Sequence, residues 1–201
     1  MFAAGTDTTS TAMEWAMAEV ITHPDSMRKL QDELRAAVGG SGHVITEDHI
    51  DKLHYLKAVV KETLRLHPPI PLLVPREPQD DAEILGHHVP AGTRVVINAW
   101  AIGRDPKYWE APEEFRPERF EDSTVDFTGS SYEFLPFGAG RRICPAINFA
   151  LPVLEIAVAS LVRHFDWEIP AEARLDMNEA PGLITPPLAP LRLVPKCRRQ
   201  Q

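Results

Sequence analysis

Phe137-Gly138-Ala139-Gly140-Arg141-Arg142-Ile143-Cys144-Pro145 is the stretch on which the reading of this chain turns. A lone cysteine follows a tight glycine turn, and an apolar helix is expected from about Ala146. Glycines at such a place let the backbone approach a flat ligand closely and leave amide N–H groups free. Those amides and the helix N-terminus favour negative charge on the sulfur. Arg142, two residues before the cysteine, can reach an anionic group on the same ligand. An inert, buried cysteine beside a glycine turn has the same local sequence, because free cysteine is among the most buried residue types.

Working outward, the helix from about Ala146 runs to His164, with Pro152 expected to kink it. Upstream, Arg104–Phe120 is irregular and rich in proline, charge and aromatic rings. Before it, a helix from about Asp51 carries Leu53, Leu56, Val60 and Leu64 on one face, with Tyr55, Val59 and Leu66 beside them, an arc wide enough for deep packing. Thr46 reads as an N-cap followed by Glu47 and Asp48, and Pro68-Pro69 stops the longer helix. Strand-like stretches follow at Leu72–Val74, Glu83–His88 and Arg94–Asn98. At the start, Ala12, Met13, Trp15, Ala16, Met17, Val20 and Ile21 predict an apolar helix that Pro24 ends. A second helix, striped by Met27, Leu30, Leu34 and Val38, is closed by Gly39-Gly40. Pro181, Gly182, Pro186, Pro187 and Pro190 mark turns and short strands at the end. The pattern predicts one mainly α chain with small β-sheets, an α+β class, without linker or repeat. Its first helix has no cap or approach segment, so it reads as cut, and residues 1–21 are expected to expose a large apolar surface.

Composition narrows the function. With 21 Lys+Arg against 29 Asp+Glu, the net charge of −8 excludes binding to nucleic acid by phosphate neutralisation. Only the tail, with Lys196, Arg198 and Arg199, is basic. The two cysteines, Cys144 and Cys197, form neither a disulfide framework nor a zinc knuckle, so a reducing compartment is expected. No secretory leader is read in residues 1–30, and no uninterrupted apolar run nears the ~18 residues of a membrane span.

The cysteine stretch resembles the F-x-x-G-x-R-x-C-x-G haem-binding loop of the cytochrome P450 family at Phe137, Gly140, Arg142 and Cys144, with Ala146 in place of the final glycine. Glu62-Thr63-Leu64-Arg65 resembles the family's E-x-x-R helix, and Pro117-Glu118-Arg119-Phe120 its P-E-R-F segment. Ala4-Gly5-Thr6-Asp7-Thr8-Thr9 is similar to the family's oxygen-binding groove in the long central helix. The four motifs stand in the family's order, and His164-Phe165-Asp166-Trp167 looks most like plant microsomal members. Each weak motif also has a plainer reading: a surface pair for Glu62 and Arg65, a capped helix start for Thr6–Thr9. The side of the helix on which Glu62 falls argues for a buried charge that must be paired.

The resemblance implies that residues 1–201 are the C-terminal portion of one cytochrome P450 haem domain, from the middle of its central helix to the end. The N-terminal half and a membrane anchor would precede it. It implies haem b with iron ligated by Cys144, and a cofactor loop that includes Gly138. Arg142 would bind a propionate, as would Arg76 unless its role is a surface one. Ala4 and Gly5 would make room for dioxygen, and Asp7 and Thr8 would relay protons to it. Glu62, Arg65 and Arg119 would form a buried ionic network. Substrate-facing positions would be Phe2, Ala3, Ile70, Leu72, Leu73, Val74, Leu183 and Ile184, although core packing explains apolar residues equally well. The implied reaction inserts one atom of O2 into an apolar small molecule, with electrons from NADPH through the NADPH–cytochrome P450 reductase. A full-length parent would sit on the cytoplasmic face of the endoplasmic reticulum membrane, in plant secondary metabolism. Two alternatives remain: a catalytically inactive fragment of such an enzyme, or a metal-binding module built on histidines such as His87-His88.

Overall fold

The structure, a computed structural model, describes residues 2–38 and 44–197, with side chains from residue 4. Gly39-Gly40, Arg198, Arg199 and the side chains of Phe2 and Ala3 therefore lie outside the described residues. Helix α1 (Phe2–Thr22) is followed by α2 (Pro24–Val38), which Pro24 opens with the fixed φ suited to a first helical turn. A short α3 (Glu47–Ile50) starts after Thr46, whose backbone N–H donates to His49 Nδ1 at 3.2 Å. Helix α4 (His54–Leu66) lies at the centre and packs on α1, α2, the later helix Ile147–His164 and the 3₁₀ turn Pro117–Phe120. Ten of its thirteen residues are buried, Glu62, Thr63 and Arg65 among them, because helices cover it on several sides.

Strands are short. β1 (Ala82–Ile84) and β2 (His87–Val89) form an antiparallel hairpin with Ala82 opposite Val89. The stretch Glu83–His88 is thus a hairpin rather than one strand: Leu85 and Gly86 adopt φ of 51° and 79°, a two-residue turn of the kind that suits right-twisted strands. Leu72–Val74 is not a strand either, since Leu73 takes φ 50° in a turn closed by its N–H on Ile70 O at 3.0 Å. Arg94–Asn98 contributes only an isolated bridge, Arg76 to Val95. α5 (Ala99–Ile102) follows, capped by the Asn98 side chain, which accepts from Ala101 N–H. The 3₁₀ turn Gly140–Arg142 then leads to α6 (Ile147–His164), and β3 (Phe165–Glu168) pairs antiparallel with β4 (Val194–Cys197).

One expectation about apolar surface is overturned. From Thr11 to Val20, α1 is largely buried, with Trp15, Ala16 and Val20 at 0% exposure, because α4 and α6 supply the covering face. Its exposed described residues are Ala4–Asp7, Ser10, Glu14 and Thr22. Among the described residues α6 is long and apolar enough to cross a membrane by length and composition, although its apolar run is not uninterrupted. Leu151, Leu154, Val158, Ala159 and Val162 bury one side of it in the core. The helix continues through Pro152. Ala146 has φ −102°, so its methyl meets no backbone penalty there.

Glu155 is carried into this core by α6. Burial pushes its carboxyl up to about 7, a rise that Lys57 moderates and Asp51 reinforces. An acid whose folded value is raised loses folding stability as pH climbs from its unfolded value toward 7. Thermal melts of Glu155→Gln against the native chain will therefore diverge with pH: the gain in Tm at pH 8 exceeds that at pH 5. Equal gains at both would contradict a buried, reluctantly ionised carboxyl.

Candidate functional site

The cysteine loop is built by backbone geometry. Gly138 N–H donates to Leu135 O at 3.0 Å, Ile143 N–H to Gly140 O at 3.1 Å, and Cys144 N–H to Phe137 O at 2.9 Å. These bonds fold residues 135–144 back on themselves and leave the half-buried Cys144 just ahead of α6. Gly138 and Gly140 take φ of 74° and 65°, which a side chain would strain. Around the loop, Phe127 meets Phe137 edge-on at 5.8 Å between ring centres. Gly129, at φ 87°, stands so close that an added Cβ would lie 3.1 Å from Ala139 Cα and 3.2 Å from Ile143 Cδ1. Neither Phe127 nor Gly129 belongs to a motif legible in the sequence.

Arg76, distant in sequence, arrives at this loop. A Cβ on Gly138 would sit 3.3 Å from Arg76 Nη2 and 3.7 Å from Leu73 Cδ1, and Arg76 Nη2 reaches Ala139 O at 3.4 Å. The Arg76 N–H and carbonyl are held by Val95 at 2.9 and 2.7 Å. On the same segment Leu73 is buried, Ile70 is half-buried, and Leu72 and Val74 are 48% and 57% exposed. Arg142 is exposed. In α1, Ala4, Gly5 and Asp7 are exposed and Thr8 is half-buried. The helix runs α-helical through them, and the Thr8 hydroxyl donates back to Ala4 O at 2.6 Å. Leu183 is exposed and Ile184 half-buried in a C-terminal turn.

Behind the loop lies the ionic network. Glu62, fully buried, accepts from Arg65 Nε at 2.7 Å and Arg65 Nη2 at 2.8 Å, from Arg119 Nε at 2.9 Å and from the Arg116 backbone N–H at 2.8 Å. Arg65 Nη1 goes on to Gly103 O and Pro112 O, at 2.6 and 2.7 Å. Arg119 Nη1 donates to Glu110 O at 2.9 Å. One carboxylate against two guanidinium groups leaves an excess positive charge, which these carbonyl dipoles absorb. Trp109 lies over both cations, 5.2 Å from Arg65 and 6.0 Å from Arg119.

Does this set fit a haem? Among the described residues no group of three or more His, Cys, Asp or Glu side chains is placed to hold a metal ion, and His87 and His88 are both exposed. A lone cysteine completes a metal site only where other ligands arrive with the group, as a porphyrin ring brings them. Side-chain-free backbone at Gly138 and Gly140, with Arg76 at the loop's edge, suits a flat anionic ligand. The residues fit.

Comparison with known proteins agrees. The cytochrome P450 family model matches residues 1–192. Cytochrome P450 71A8 of Mentha piperita is 57% identical over 192 residues, covering 95% of this chain and 38% of the relative. Tabersonine 16-hydroxylase 2 of Catharanthus roseus is 53% identical over 187 residues, 91% of this chain and 36% of the relative. A zebra fish cytochrome P450 solved with abiraterone superposes with a TM-score of 0.88 at 36% identity, covering 98% of this chain and 45% of that one. The helix-rich framework with small sheets around the cysteine loop is that of cytochrome P450 structures. The chain belongs to the cytochrome P450 family, and it spans less than two fifths of the length of these curated relatives.

Three substitutions test this architecture in urea melts. Glu62→Ala strands two buried cations and is expected to cost about 3–5 kcal/mol, whereas Arg116→Ala, which leaves the backbone donor in place, should change stability by under ~0.5 kcal/mol. Gly138→Ala forces a methyl into left-handed backbone and is expected to cost about 1–2 kcal/mol.

Proposed function

We propose that this chain is the cysteine-bearing part of a haem monooxygenase. Its parent would insert one oxygen atom of O2 into an apolar small molecule, using electrons from NADPH delivered by the cytochrome P450 reductase. The observation that carries the reading is the loop at Cys144, closed on Phe137 O at 2.9 Å with two left-handed glycines. Haem, when bound, supplies the electron chemistry that activates dioxygen.

Each residue's task follows from its chemistry. Cys144, as the thiolate, would be the iron's protein ligand, and a sulfur ligand donates charge that favours O–O cleavage over oxygen storage. Arg142 and Arg76 would bind the anionic propionates. Thr8 spends its hydroxyl proton on Ala4 O, so its oxygen keeps lone pairs free to accept a hydrogen bond. Exposed Asp7 would exchange protons with water and pass them toward Thr8. Gly5, with nothing within 4 Å of an added Cβ, leaves space beside that hydroxyl. Leu72, Val74 and Leu183 present apolar surface suited to a water-poor substrate. Similarity to plant enzymes supports placing the parent on the endoplasmic reticulum membrane. A second reading, a fragment that keeps these motifs without turnover, is favoured by the limited share of its relatives that the chain spans.

Haem reconstitution followed by a reduced, CO-bound difference spectrum tests the proposal. The native chain should give the thiolate-type band and Cys144→Ala should lose it. Identical spectra from both would remove Cys144 as the ligand.

A further inference from the structure

Glu19 on α1, His67 just past α4 and Glu179 in the C-terminal stretch meet around one imidazole. His67 Nε2 lies 2.8 Å from Glu19 Oε1, and Nδ1 lies 2.9 Å from Glu179 Oε1. A neutral imidazole has a single N–H, so both contacts are hydrogen bonds to carboxylates only when the ring carries two protons. The ring also stacks on Trp15, 3.8 Å between centres and 4° from parallel. Trp15 Nε1 donates to Thr185 O at 2.9 Å, and Thr185 N–H donates to Pro69 O at 3.1 Å. The same three elements are thus tied twice, at Glu179 before the turn Gly182–Thr185 and at Thr185 where the turn ends. That turn is tight, since a Cβ on Gly182 would lie 2.9 Å from Ile184 O, and it holds Leu183 63% exposed.

We propose that Glu19, His67 and Glu179 form a positioning clasp, which holds the turn bearing Leu183 and Ile184 against α1 and loosens when His67 becomes neutral. Resting on the monooxygenase reading, this makes His67 a determinant of the wall that an apolar substrate meets, although it touches neither substrate nor cofactor. Other groups face the trio: His23, 3.2 Å from Glu19 Oε2, and Arg104, which feels Glu179, Glu113 and Arg65. Burial pushes His67 down, but hydrogen bonds to Glu179 and Glu19 and their charges outweigh it and raise it above 6.5. A raised histidine lends its hold fully below its unfolded value and loses it as pH rises through the folded value.

Hydrogen exchange of the chain, read by mass spectrometry as protection factors, tests the clasp. Three backbone bonds report on it: Ala180 N–H to Pro186 O, Thr185 N–H to Pro69 O, and Leu188 N–H to Asn178 O. In the native chain, protection across residues 180–188 should fall at least tenfold between pH 6 and pH 9, while that of α4 changes less than twofold. His67→Phe keeps a ring to stack on Trp15 and should be unprotected at both pH values. Should His67→Phe not fold, Glu179→Gln, at a partly exposed position, decides: its profile should be flat and low. A pH-independent native profile, or a native-like profile in Glu179→Gln, overturns the clasp. In haem-loaded protein, Glu179→Gln should also change the affinity ratio of 1-methylimidazole to 4-phenylimidazole at least threefold, and an unchanged ratio denies the turn its place in the wall. Exchange needs no iron, so loss of the thiolate spectrum with this pH profile intact would sink the haem reading alone.

Discussion

A single carboxylate in a dry interior, Glu62, holds two guanidinium groups and a backbone amide at once. An isolated charge there would be prohibitively desolvated, so the arrangement exists only with every partner in place. That requirement organises the irregular part of the chain. Residues 103–119 have almost no regular structure, yet five of their carbonyls, those of Gly103, Glu110, Ala111, Pro112 and Glu114, are drawn onto Arg65 and Arg119. Loop conformation is dictated by where the cations stand.

From this anchor, aromatic packing passes order on to the cysteine loop. Trp109, which covers both arginines, meets Phe120 and Phe134, and its Nε1 donates to Glu133 O at 3.2 Å. Leu135 O then accepts the Gly138 N–H that begins the turn. Cys144 is therefore presented by a loop whose base is bolted to α4 and whose glycines fold the rest over it. Opposite ends of the chain are joined by a second polar centre, in which His67 links α1 to the C-terminal stretch. One centre fixes the sulfur and the other steadies apolar residues beside α1.

How much of this was readable in advance depended on how far apart the partners lie. Left-handed glycines leave a local mark, and so the Cys144 loop was legible from nine residues. The pairing of Glu62 with Arg65 was legible because i, i+3 spacing and a buried helix face coincide. Arg119 needed the family resemblance. His67 was not legible, since its partners are 48 and 112 residues away and Pro68-Pro69 disguised it as a helix stop. The buried flank of α1 was misjudged for the same reason: its covering helices come later in the chain. Leu85-Gly86 was missed because leucine gives no turn signal, although the glycine beside it does.

Iron X-ray absorption of the haem-loaded chain addresses the sulfur directly. The account predicts one sulfur neighbour in the iron's first shell, absent after Cys144→Ala. A shell of nitrogen and oxygen alone in the native protein would contradict it.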